Sequence, residues 1–196
     1  MLTTSSQVKR YGIDDLASFP DDGRLRELVD GQVVEWDVTT YVHGFFLAGL
    51  VAMLRTFVVR NRLGSVVGGD ALVRIRESMY DARGPDVAFY ARGRMPRDSR
   101  AAATVTAPDF VIEILSPSDR AGMVQEKVRD WLRAGVRLLW YVDPDTGTTA
   151  VFHAGAVRYV DADEELDGAD VVHGFHLRLR ELLDELASQE GPADQG

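Results

Sequence analysis

The chain has 196 residues, enough for one sizeable hydrophobic core and too few to require a second. A hydrophobic content of 45% and a charged content of 27% are ordinary for a globular protein, and the net charge of −9 argues against a protein that coats nucleic acid nonspecifically. There is no cysteine, which removes disulfides, thiol nucleophiles and cysteine metal sites and fits a reducing cytoplasm.

Residues 1–15 hold no apolar core suited to a signal peptide. Residues 25–29 and 32–38 alternate apolar and polar side chains around Asp30-Gly31, a strong two-residue hairpin signal. Thr39 or Thr40 caps a helix running to about Arg60, with an apolar face through Phe46, Leu50, Met53, Leu54 and Phe57. His43 and Arg55 inside this apolar stretch mark it as a buried helix and not a membrane span. Residues 61–64 end the helix, and strands are expected over 65–68 and 71–76, then a turn over 81–85. Residues 86–90 form a short strand, and 91–106 a polar loop carrying Arg92, Arg94, Arg97 and Arg100. Residues 109–115 are apolar on both faces apart from Glu113, as in a central strand covered on both sides. Ser116-Pro117-Ser118 breaks this strand, and Ser118 or Asp119 caps a helix to about Ala134, closed by Gly135. A buried strand over 137–142, a hairpin over 148–153 and 156–160, an acidic loop over 161–168 and a helix over 179–187 complete the chain. The expectation is one domain over residues 1–188 and a disordered acidic tail over 189–196. This order packs best as an α/β fold, a mixed sheet between helices, with a β-hairpin near each end.

Three residues stand out from this frame. A carboxylate inside an apolar strand is costly unless something neutralises it, and Glu113 is flanked by Val111, Ile112, Ile114 and Leu115. Asp86 opens the other core strand directly after Pro85. If the two strands are neighbours, the acids lie side by side and need a shared cation or proton. Oxygen ligands without cysteine or clustered histidine favour Mg2+ or Mn2+ over Zn2+. Lys127 is the third residue: of the 22 cationic side chains only it and Lys9 are lysine. A helix that folds back over its own strand brings Lys127 to the strand end, where an ammonium orients water or stabilises phosphoryl charge.

The segments Glu27-Leu28-Val29-Asp30-Gly31, His43, Pro85-Asp86-Val87, residues 108–118, Glu126-Lys127, Ala134-Gly135-Val136, residues 140–144 and Gly174-Phe175 together resemble the Uma-two family of restriction endonucleases. That family lies within the PD-(D/E)XK nuclease superfamily, and the resemblance spans residues 25–183. It implies a restriction-endonuclease-like core and an Mg2+- or Mn2+-dependent endonuclease acting on DNA. Asp86 and Glu113 would hold the metal, with Glu27 as a further metal or water ligand or else a cross-strand partner of Arg24 or Arg26. The superfamily's lysine falls at Leu115, which cannot do its chemistry; in the narrower family it has moved to the next helix, which matches Lys127. A homodimer is implied only by the need to cut two strands. A catalytically inactive nuclease fold that binds DNA or protein is the alternative.

Other residues give weaker signals. His43, His153, His173 and His176 lack metal-ligand spacing, and His43 reads as a helix-start residue that is hydrogen-bonded or half-buried. Ser116 and Ser118 have no adjacent base. The arginine loop, including Arg83, lies between the two acidic strands in sequence and is expected either to rim the site and contact phosphates or to offset an acidic surface.

Overall fold

The computed structural model describes residues 9–22, 24–36, 39–69, 71–98, 100–117 and 119–189. Its elements are α1 (Ile13–Leu16), β1 (Arg26–Val29), β2 (Gln32–Glu35), α2 (Tyr41–Asn61), β3 (Gly64–Gly68), β4 (Val73–Arg74), β5 (Ala82–Arg83), β6 (Val87–Ala91), β7 (Phe110–Ile114), α3 (Ala121–Ala134), β8 (Leu138–Asp143), β9 (Thr148–His153), β10 (Ala156–Asp161), β11 (Leu166–Asp167), β12 (His176–Leu177) and α4 (Leu179–Gln189). A six-stranded mixed sheet in the order β10-β9-β8-β7-β6-β3 forms the centre. Its only parallel pair is β7 with β8, joined through α3. The fold class is therefore the expected one: a central mixed sheet with helices packed on it.

The side chains of β7 and β8 sort by parity, as the two-residue strand period requires. Phe110, Ile112, Ile114, Leu138, Trp140 and Val142 face α2 and α4 in one core. Val111, Leu139 and Tyr141 face α3 in another, with Val128 and Trp131. Glu113 shares the parity of Val111, so its carboxylate points toward α3.

α2 is long and apolar enough by composition to cross a membrane, yet it lies across the sheet. His43, Phe46, Leu50, Leu54 and Val58 form its buried stripe, whereas Met53 and Phe57 are only half-buried. Its Thr40 cap is as expected, the hydroxyl accepting from the His43 amide at 3.2 Å.

The N-terminal hairpin is not part of this sheet. It turns at Asp30 and Gly31, both at positive φ, and joins a separate sheet in the order β2-β1-β5-β4. The segment expected as a turn at 81–85 contributes β5, which pairs with both β1 and β4. The expected strand over 71–76 is two residues of β4 followed by a 3₁₀ turn. α3 begins one residue later than an Asp119 cap requires: Arg120 is its N-cap, and the Asp119 carboxylate instead accepts from the Ser116 amide. Ser188 and Gln189, expected in a tail, are the last residues of α4. Val38, Ser118 and the tail from residue 190 lie outside the described residues.

Phe110 is fully buried, its ring 4.9 Å from that of Trp140. Phe110→Ala should cost about 3–5 kcal/mol through lost burial and the cavity left behind, read as a lower urea midpoint with an unchanged m-value.

Candidate active site

β6 and β7 are antiparallel neighbours, with Val87 opposite Ile112. Extending that register by one residue sets Asp86 opposite Glu113 at the end of the ladder. In the other direction Glu113 is paired with Tyr141 of β8. Asp86, Glu113 and Tyr141 thus form a row across three strands. The ladder ends where the Asp86 side chain takes over a main-chain role: its Oδ2 accepts from the Ile114 amide at 2.7 Å. Its Oδ1 lies 3.3 Å from Nε2 of His43, a buried residue at the start of α2.

Helix α3 covers this row. Val124, Lys127, Val128 and Trp131 recur at helical spacing and form its inward stripe, so Lys127 occupies a core position and is only 7% exposed. One turn apart on that stripe, Lys127 and Trp131 hold the two oxygens of Glu113. Lys127 Nζ donates to Oε2 at 2.9 Å, and the Trp131 indole donates to Oε1 at 2.6 Å.

Glu27 sits behind the lysine. Its Oε1 is 3.5 Å from Lys127 Nζ and accepts from the Gly84 amide at 2.8 Å, while its Oε2 accepts from Arg83 at 3.0 Å. Arg83 also closes on Asp130 Oδ2 with two donors, at 2.9 and 2.6 Å. Glu27 is fully buried and does not line the pocket, which contains Asp86, Glu113 and Lys127. Arg24 and Arg26 pair with Asp22 and Glu35, not with Glu27.

The pocket has a volume of about 80 Å3, and its walls include Trp36, His43, Ser116 and Tyr141. The Trp36 ring centre is 5.1 Å from Lys127 Nζ, and its buried indole N–H has no hydrogen-bond partner among the described residues. Sequence reasoning missed Trp131 and Trp36, and it grouped Arg83 with the arginine loop without its partners Glu27 and Asp130. The i, i+4 spacing of Lys127 and Trp131 was the one available signal for Trp131.

The arginine loop is elsewhere. β6 starts at the Asp86 end of the sheet and runs away from it, so the loop after Ala91 leaves from the opposite end. Of the arginines grouped with that loop, Arg83 alone reaches the acidic site, and it is buried beneath it.

A family model described as "Putative restriction endonuclease", Uma2, matches residues 13–180. The chain belongs to the Uma2 family. No curated protein matches it. The fold is similar to the crystal structure of a "putative nuclease belonging to DUF820" from Anabaena variabilis, with a TM-score of 0.77 and 21% identity over 89% of this chain and 98% of that one.

The donor chemistry of this Uma2 pocket fits a divalent cation. Asp86 and Glu113 in the pocket, with Glu27 and Asp130 behind it, are four carboxylates set against two cations, Lys127 and Arg83. A divalent ion would offset the remaining charge of the group. No group of three His, Cys, Asp or Glu side chains able to hold a metal occurs among the described residues. Mg2+ needs fewer, because it is usually bound by one or two carboxylates and keeps several waters.

Burial sets the protonation of the cluster. It pushes the Glu113 carboxyl up to about 8; Lys127 opposes that shift, and the charges of Asp86 and Glu27 add to it. Burial works against the Lys127 ammonium, but Glu113 and Glu27 outweigh it and move its pKa up. Burial also raises the Tyr141 hydroxyl well above its usual range, so it stays neutral. Between the ordinary value of 4.5 and about 8, folded Glu113 holds a proton that the unfolded chain has lost. Folding stability from this group therefore falls as pH rises through that window. In EDTA, the stability difference between wild type and Glu113→Gln should vary with pH across that window, the wild type losing relative to the variant as pH rises. Urea midpoints measured from pH 4.5 to 8 check this.

Proposed function

We propose that this Uma2 protein is a metal-dependent endonuclease that hydrolyses phosphodiester bonds in DNA, with Asp86 and Glu113 as the metal ligands. The observation that carries this reading is the shared pocket: two opposed carboxylates with a lysine ammonium 2.9 Å from one of them. Membership of a family described as restriction endonucleases supports the choice of nucleic acid as substrate.

Mg2+ or Mn2+, when bound, supplies Lewis-acid stabilisation of a phosphoryl oxygen and a more acidic bound water. The chain's own residues do the rest. Trp131 and the Ile114 amide fix one oxygen of each carboxylate, which keeps the pair from swinging apart. Lys127 holds a positive charge at the pocket wall, where it aligns the attacking water and stabilises charge developing on the phosphoryl group. Glu27 acts on Lys127 and not on substrate. With Arg83 and Asp130 it forms a fixed backing that holds the ammonium in place.

Incubation of purified protein with supercoiled DNA, linear DNA and RNA in Mg2+ or Mn2+ tests this reading. Cleavage that stops in EDTA is expected. Asp86→Ala should remove calorimetric metal binding and lower the rate by about a hundredfold or more. No cleavage of any form together with no metal binding would refute the assignment.

A further inference from the structure

A second groove, of opposite electrical character, lies at the far end of the sheet. Four arginines line it, Arg74, Arg76, Arg94 and Arg97, with Asp98 as the one acid. Its volume is about 640 Å3, and Met95 and Val105 add exposed apolar surface. Asp86 and Ala91 mark the two ends of the β6 region, so the groove is separated from the pocket by about 17 Å of strand rise.

These arginines are only partly neutralised by neighbouring acids. Asp98 is occupied within its own loop, accepting from the Thr104 hydroxyl at 2.6 Å and the Val105 amide at 3.0 Å. That fixes the loop, and the Asp98 charge also acts on Arg74. Arg94 is set in place by buried Asp109 at 3.1 Å. Arg76 and Arg97 are exposed and have no ion-pair partner among the described residues. The Arg74 Nε is buried without a hydrogen-bond partner among them. Arg76 also adopts a left-handed backbone, φ 52°, an arrangement that costs energy for a non-glycine residue and is concentrated at functional sites. On a chain of net charge −9, an arginine cluster of this kind is a local reversal of the field.

We propose that this groove binds the phosphodiester backbone of nucleic acid at a point remote from the reacting phosphate, as an exosite. The inference rests on the nucleic-acid reading above and extends it. Guanidinium forks match phosphate oxygens in pairs, and such contacts add affinity without reading sequence. The separation of about 17 Å equals roughly five base-pair rises. The groove supplies the electrostatic attraction, which the acidic pocket cannot, and the pocket supplies the chemistry.

The test is binding in EDTA, where cleavage is off and the pocket remains acidic. Fluorescence anisotropy with a labelled duplex of about 20 base pairs, and with its single strand, is followed over a salt series. Arg76→Ala/Arg97→Ala should weaken binding at low salt at least about tenfold and reduce the slope of log K against log salt by about two. Arg55→Ala/Arg60→Ala, an equal charge change on the exposed side of α2, should leave both unchanged. Equal losses in the two double variants, an unchanged groove variant, or no binding by wild type to either probe would overturn the exosite. Wild-type cleavage in Mg2+ is scored separately. Its absence, with the groove-specific loss intact, refutes the pocket's assignment and supports the groove.

Discussion

A lysine ammonium buried between two glutamates governs how the pieces of this fold meet. Lys127 comes from α3, Glu113 from the central sheet and Glu27 from the small N-terminal sheet. Three parts of the fold therefore converge on one charge. The Arg83 side chain repeats the arrangement a step further out, bridging Glu27 to Asp130. Removing one partner from such a cluster leaves a charge stranded in a low-dielectric interior and typically costs about 3–5 kcal/mol. An equally packed apolar cluster often costs nothing, so the ions are a poor device for stability alone. Their retention in the core makes sense where a charged, rigid pocket wall is needed.

The same economy explains the pocket's charge. Two carboxylates directly opposed on neighbouring strands repel, and burial sharpens the repulsion. The chain meets this partly through the ammonium and partly through a proton held on Glu113. A divalent cation would replace that proton. The excess of acid at this end and of arginine at the other gives the domain two poles along its strands. An acidic protein with one basic pole can approach nucleic acid in a restricted set of orientations.

Much of the site was legible because local pattern decides it. Glu113 betrays itself as the one acid of an apolar strand, and two-residue parity fixes which face it takes. Lys127 falls on the inward stripe of an amphipathic helix, so its burial follows from spacing. Asp30-Gly31 fixes the hairpin by backbone sterics. What sequence reading missed was nonlocal. β5 is two residues long and exists only because β1 and β4 lie on either side of it. Arg83 therefore read as a turn residue, and the backing it forms with Glu27 was invisible. Of the two readings of the arginine loop, the rim of the acidic site fails for a different reason. It adjoins the acidic strands in sequence, but antiparallel pairing of β6 and β7 puts their connecting loop at the end away from Asp86 and Glu113. That inference was available from the strand order alone.

On the proposed function, a compact ammonium at position 127, and not positive charge in general, completes the pocket. The most direct test is Lys127→Arg, assayed for kcat/KM of DNA cleavage in saturating Mn2+ beside wild type, with metal affinity and thermal midpoint measured on both. Arg keeps the charge but brings a larger planar fork into a space defined by Glu27, Glu113 and Trp36. The expected result is a folded variant that still binds metal and has lost about a hundredfold or more in kcat/KM. Wild-type kcat/KM in that variant would contradict it.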